Sequence, residues 1–238
     1  MQPILIFFVT QPAPGLVKTG LCPALSPKEA ADLYEAFLLD IFDRFARPVN
    51  IPTGARYALG LAIDAPQSRE WFERTAPRDA KIFEQKGKTH SEKILNIFED
   101  AAFEGFAQVG VVGTDNPTLA PAHVGALLSA VGVEINNSKI TKIYDGAIGP
   151  DRRGGYWGIA LTKPRPELFL NLTDANGKVA LATMERAKAS GIELYRGPVL
   201  SCIDTIEDLS SLASELKSLK TAATVPRTAA LMERFGVM

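Results

Sequence analysis

Cysteine is scarce in this chain: Cys22 and Cys202 are the two present among 238 residues. Two thiols are too few for a disulfide framework, so a reducing, cytoplasmic setting is the expectation. Both read as small buried hydrophobes. Histidine is as sparse. His90 and His123 lie far apart without a partner at metal-ligand spacing, and each reads as a surface or cap residue. No Ser-His-Asp, Cys-x-x-Cys or His-Glu-x-x-His pattern is present. A surplus of either charge is missing too, since 26 Lys and Arg stand against 27 Asp and Glu, for a net charge of -1. That balance argues against a nucleic-acid partner and against an acidic solvating arm. Long apolar runs are absent as well. The run Ile4–Val9 falls far short of the roughly 20 apolar residues of a membrane span. It has no basic flank and no cleavage-like site, so it reads as a strand and not as a signal peptide.

What is present fits one large globular domain, with 46% hydrophobic and 22% charged residues. Residues 1–220 are read as that domain, and 221–238 as a small-residue linker with a short helix. Ile4–Val9 is the first buried strand. Ser26-Pro27 opens a helix, with Ser26 as N-cap, Pro27 in the first position and Glu29 in the third. Ala30, Leu33, Phe37, Ile41 and Phe45 recur on one face of it. Strands are expected at 57–63, 109–112, 142–148 and 156–161. Shorter extended runs are expected at 192–195 and 199–203. Helices are expected around 70–74, 91–106, 119–131, 179–190 and 204–219, and a polar surface loop at 171–178. Alternating strands and helices imply a three-layer α/β/α sandwich with a mostly parallel mixed sheet. The strands at 142–148 and 156–161 lack a helical crossover, so at least one runs antiparallel.

The stretch Gln108-Val-Gly-Val-Val-Gly-Thr-Asp-Asn-Pro117 concentrates the functional signal. Its Val-rich run shows no alternation and reads as a strand buried on both faces. Asp115 then falls at the carboxyl end of a central strand, the edge that faces the ligand crevice in open α/β sheets. A carboxylate there can hold a divalent cation against a nucleotide's phosphates. The same spacing also allows a helix N-cap or turn residue. Asp204 carries the same two readings, because Thr205-Ile-Glu-Asp208 can simply cap the next helix. Two strand-end acids suit magnesium, which takes one or two protein carboxylates and completes its shell with water and phosphate.

The loop Pro12-Ala-Pro14-Gly15-Leu-Val-Lys18-Thr19 lies between the first strand and the first helix. Its backbone N–H groups could wrap a phosphate, with Lys18 adding charge. It has neither the P-loop nor the Gly-x-Gly-x-x-Gly spacing, and an ordinary polar loop satisfies the same residues. Gly154-Gly155-Tyr156-Trp157 permits close ligand approach beside aromatic faces. On chemistry alone a tight turn with buried rings is the stronger reading.

Together these motifs resemble the GT-A-like nucleotide-diphospho-sugar transferases, of the type called "rSAM/selenodomain-associated transferase 1". The likeness runs from the start to about Leu212. Pro12-Ala-Pro-Gly-Leu-Val-Lys-Thr matches the family's Pro-x-Pro-Gly-x-x-Lys-Thr-Arg-Leu, and Gly113-Thr-Asp-Asn-Pro matches Gly-Ser-Asp-x-Pro. Gly154-Gly-Tyr matches Asp-Gly-Gly-Tyr, and Ile203-Asp-Thr-Ile-Glu-Asp-Leu matches Asp-Ile-Asp-Thr-Pro-Glu-Asp-Leu. The resemblance implies a GT-A type of fold and a Rossmann-like nucleotide site. It implies Pro14, Gly15, Lys18 and Thr19 in the nucleotide loop, and Asp115 and Asp204 on Mg2+ or Mn2+. Gly154, Gly155 and Tyr156 would lie on the acceptor or sugar side.

The departures are specific. Gly20 stands for the family's Arg, Arg153 for the Asp before Gly-Gly-Tyr, and Cys202 for the Asp before Ile-Asp-Thr. Thr89-His-Ser-Glu-Lys-Ile94 keeps only Glu92 of Asp-Leu-Gly-Glu-Arg-Met. Asp151 is the nearest substitute for the acid lost at Arg153. The resulting expectation is a metal-dependent transferase acting on a nucleotide sugar or a nucleoside triphosphate. The lost groups motivate an alternative, a catalytically weak nucleotide-binding or interaction protein on the same fold.

Overall fold

The six apolar residues Ile4–Val9 form β1, and their side chains leave it on alternating sides into two separate cores. Leu5, Phe7 and Val9 enter one core, Ile4 and Ile6 the other. That is why the run shows no polar alternation: a strand covered on both faces has no wet side. The computed structural model describes residues 2–46, 57–136, 139–142, 144–172 and 177–237. Parts of the strand expected at 142–148 and of the loop expected at 171–178 therefore lie outside the described residues.

After β1 come α1 (Pro27–Phe45), β2 (Ala58–Ile63), α2 (Arg69–Thr75), β3 (Lys81–Glu84), α3 (His90–Phe103) and β4 (Val109–Gly113). Then follow α4 (Pro121–Ser129), β5 (Val133–Asn136), β6 (Lys139–Lys142), β7 (Gly146–Pro150) and β8 (Tyr156–Leu161). The chain continues through α5 (Pro166–Phe169), α6 (Val179–Ala189), β9 (Leu194–Arg196), α7 (Ile206–Leu216), α8 (Leu219–Ala222) and α9 (Pro226–Arg234).

Seven strands make one sheet in the order β3-β2-β1-β4-β8-β7-β9, and β5 pairs with β6 in a separate hairpin. β8 runs antiparallel to both β4 and β7, while the other pairings of the large sheet are parallel. This is the mixed, mostly parallel sheet with helices on both faces that the alternation implied. The expected run at 199–203 is not a strand, and Leu200 makes only an isolated bridge to Asp151.

Local chemistry explains the helix that matters most. Ser26 and Glu29 close a capping box around the start of α1, with Pro27 in the first turn. Leu33, Phe37, Ile41 and Phe45 are all buried against the sheet. α9 also packs along α1. The buried Asp40 of α1 accepts the backbone N–H groups of Arg227 and Thr228 at 3.2 and 2.9 Å. Val225, Ala229 and Met232 enter the same core as β1 and α1. No helix among the described residues is long and apolar enough to cross a membrane.

Candidate functional site

β1 and β4 are adjacent and parallel, so the loops leaving their carboxyl ends meet. The loop after β1 carries Lys18, and the turn after β4 carries Asp115. The segment entering α7 comes alongside, fixed by the bond from Ile203 N–H to the Asp115 carbonyl at 2.8 Å. Three distant stretches of sequence thus converge at one sheet edge.

Lys18 is the centre of the convergence. Its Nζ donates to Asp115 Oδ1 at 2.5 Å, to the Ile203 carbonyl at 2.6 Å and to Asp204 Oδ1 at 3.0 Å. The Tyr34 ring lies beneath it, 5.6 Å from ammonium to centroid. The Lys18 backbone sits in the left-handed region with φ 50°, uncommon for a residue with a Cβ. Burial alone would lower the Lys18 pKa, but Asp115 and Asp204 outweigh it and hold the ammonium above its ordinary value. Tyr34 is pushed up to about 12, by burial first and by Asp115 second. Its hydroxyl hydrogen-bonds with Thr114 Oγ1 at 2.8 Å, tying α1 to the β4 turn.

The capping alternatives for the two acids are answered locally. Thr205, not Asp204, caps α7, and Asp208 completes that capping box. α4 starts at Pro121 with no side-chain cap. Both carboxylates are therefore left to Lys18 and to whatever enters beside them. Glu92, kept from a family motif, completes the capping box of Thr89 on α3.

A cleft of about 200 Å³ opens beside the pair, lined among others by His90, Asp115, Asp151, Tyr156, Cys202 and Asp204. Asp151 stands in this cleft although Arg153 replaces the family's acid. Its Oδ1 accepts the N–H groups of Arg153 and Gly155 at 2.7 and 2.9 Å, which folds 151–155 into a tight loop. Gly154 has φ +96°, and a Cβ there would meet the Gly177 carbonyl at 2.1 Å, so the loop closes only with glycine. Tyr156 also lines the cleft, and its buried hydroxyl has no partner among the described residues. Burial raises its pKa. Trp157 is a core residue, 2% exposed, with its indole N–H on the Pro198 carbonyl.

Arg153 lines no part of this cleft. Its guanidinium meets Asp208 at 2.9 Å, bracing the 151–155 loop against the start of α7. The Cys202 thiol is raised by burial and then by Asp115, Asp151 and Asp204, so it remains a thiol. Pro14, Gly15 and Thr19 are exposed on the same loop as Lys18. Gly20 lies against the α7 entry, where a Cβ would sit 2.3 Å from the Asp204 carbonyl oxygen. A side chain at this position, the family's Arg included, would have to displace that backbone. His90 is exposed at the start of α3, as the surface or cap reading had it, and it also lines the cleft, with its ring 4.9 Å from that of Phe8 between centroids, a place that the sequence alone does not reveal.

Among the described residues, no three His, Cys, Asp or Glu side chains gather as a metal cage. The oxygen donors of Asp115 and Asp204 nonetheless fit a hard cation that keeps most of its shell for water and phosphate.

Residues 50–173 match the family described as "Uncharacterized protein conserved in bacteria (DUF2064)". No curated protein matches the chain in sequence. The fold is similar over 99% of both chains to the "putative nucleotide-diphospho-sugar transferase" from Desulfovibrio desulfuricans G20, at 25% identity and a TM-score of 0.81. A cytidylyltransferase from Leptospira borgpetersenii serovar Hardjo-bovis shares the fold at 11% identity and a TM-score of 0.53, over 97% of this chain and 96% of that one. A CMP:2-keto-3-deoxy-manno-octonic acid synthetase complexed with CTP does so at 10% and 0.52, over 92% and 100%.

Proposed function

The chain belongs to that DUF2064 family of bacterial proteins and is a divergent member of the GT-A-like nucleotide-diphospho-sugar transferases, and from this we propose that it is a nucleotide-using transferase. The observation that carries the proposal is the meeting of Lys18, Asp115 and Asp204 at the carboxyl edge of β1 and β4, beside a polar cleft. Ligands of open α/β sheets bind at that edge.

In this reading the exposed part of that loop, with Pro14, Gly15 and Thr19, takes the nucleotide's phosphates, while Lys18, expected there to add charge to a phosphate, is instead buried on the two acids. Asp115 and Asp204 hold Mg2+ or Mn2+, whose role is to neutralise the pyrophosphate and ease its departure. The loop of Gly154, Gly155 and Tyr156 shapes the acceptor or sugar side. That Gly155 and Tyr156 line the cleft beside Asp115 and Asp204 supports this. The nucleotide-sugar and nucleoside-triphosphate reactions differ in the bond broken. Glycosyl transfer releases a nucleoside diphosphate, and nucleotidyl transfer releases pyrophosphate.

Product analysis with a panel of nucleotide sugars and nucleoside triphosphates, with Mg2+ or Mn2+, separates them. One of the two leaving groups is the expected product. Tight nucleotide binding with neither product released would instead favour the catalytically weak binding protein. Engagement of Lys18 by the two acids is the observation on that side.

A further inference from the structure

The Lys18 ammonium has three N–H donors and three acceptors within 3.0 Å. No donor is left over for a phosphate. Its side chain is 4% exposed, against 44% and 47% for those of Asp115 and Asp204. The carboxylates, not the ammonium, therefore meet solvent. Each uses only Oδ1 on Lys18, and neither Oδ2 has a hydrogen bond among the described residues. The three groups sum to one negative charge, half of what two bare carboxylates would offer a cation.

We propose that Lys18 is a built-in counter-cation that keeps Asp115 and Asp204 from holding a divalent ion alone, so that the ion binds only together with an anionic ligand. The inference rests on the metal reading of those two acids. The physical basis is repulsion. A divalent ion on either carboxylate comes within a few ångströms of a fixed positive charge that is itself buried, so water screens the repulsion only in part. A diphosphate brings the negative charge that offsets this. Entry of metal and nucleotide is then coupled, and each strengthens the other by the same factor.

The test measures Mn2+ immobilised on the protein, by water-proton relaxation, for wild type, Lys18→Met and Lys18→Gln, each first checked for a cooperative unfolding transition. With Mn2+ alone, wild type is expected to bind weakly and the variants more tightly, by about tenfold or more. Asp115→Asn added to Lys18→Met removes the gain. Variants that bind Mn2+ no tighter than wild type overturn the inference. If wild type then still takes up Mn2+ with inorganic pyrophosphate, and Asp115→Asn abolishes this, the metal reading survives alone. No Mn2+ on any protein, with or without pyrophosphate, overturns both. A measurement on wild type needs no variant. The 15N resonance of the Lys18 ammonium should stay fixed when Mg2+ is added alone and move when pyrophosphate follows. Movement with sub-millimolar Mg2+ alone overturns the counter-cation role.

Discussion

Replacing Gly20 by alanine tests the geometry of the whole site with one methyl group. The added Cβ would lie 2.3 Å from the Asp204 carbonyl oxygen. Carbon–oxygen contacts rest at roughly 3.3 Å or more. The loop after β1 and the entry to α7 must therefore part by about 1 Å. Such a displacement stretches the 3.0 Å bond from Lys18 to Asp204 past hydrogen-bonding range. Overpacking of this kind costs about 1–3 kcal/mol. Loss of a charge-assisted bond costs about 1.5–3 kcal/mol. One movement causes both, so the two overlap, and a loss of about 2–3 kcal/mol is expected. At roughly 2–4 °C per kcal/mol for a chain of this size, Tm should fall by roughly 4–12 °C. Urea unfolding gives the independent measure, a lower midpoint with an unchanged m-value. Thr19→Ala is the control, since its neighbouring side chain is exposed, and it should stay within about 0.5 kcal/mol of wild type. If Gly20→Ala matched that control, the close approach of the two loops would be refuted. Gly20→Arg, which restores the family residue, is expected to be worse than alanine.

Three further outcomes are expected. Arg153→Ala should cost at most about 1 kcal/mol in urea, as for a half-exposed ion pair, and should leave the binding order of matched neutral and anionic sugar ligands unchanged; a reordered panel would put Arg153 at the ligand after all. Asp40→Ala removes the acceptor of two backbone N–H groups of α9 and of the Arg227 guanidinium; a loss of about 2–4 kcal/mol is expected in urea melts, and an unchanged midpoint would mean that α9 adds nothing to stability. Asp115→Asn should remove most of the gain in nucleoside-diphosphate affinity that Mg2+ or Mn2+ gives, measured by calorimetry; equal affinity with and without metal in wild type contradicts the metal reading.

How much of this was legible in the sequence depends on how local the cause is. β1, β4 and α1 were, because burial on both faces and a capping box leave marks within a few residues. The antiparallel β8 followed from the missing crossover. β3 was not visible: Lys81–Glu84 is four residues long with charges at both ends, and only its pairing with β2 makes it a strand. The convergence of Asp115 and Asp204 was expected from strand-end positions, of which only Asp115 holds one, because 199–203 forms no strand. The burial of Lys18 between them was not, since the polar loop around it reads as solvated. The close approach of Gly20 is likewise to a residue far along the chain, and no spacing rule reports it. The hold of Asp40 on α9 was hidden for the same cause, as an acid at a helical position next to apolar ones reads as surface.

The partners of Lys18 are spread widely along the chain, Asp115 lying 97 residues on and Asp204 186 residues on. On a ribosome adding about 5–20 residues per second, roughly 10–40 s separate the synthesis of Lys18 from that of Asp204. In the second half of that interval, once β4 has been made, β1 and β4 can pair, while the ammonium has at most one of its two carboxylates. The last contact joins an early loop to a late one and closes a long stretch of chain. Nascent chains halted before residue 204 therefore carry the sheet edge without the finished site, and the ability to bind is gained late in synthesis.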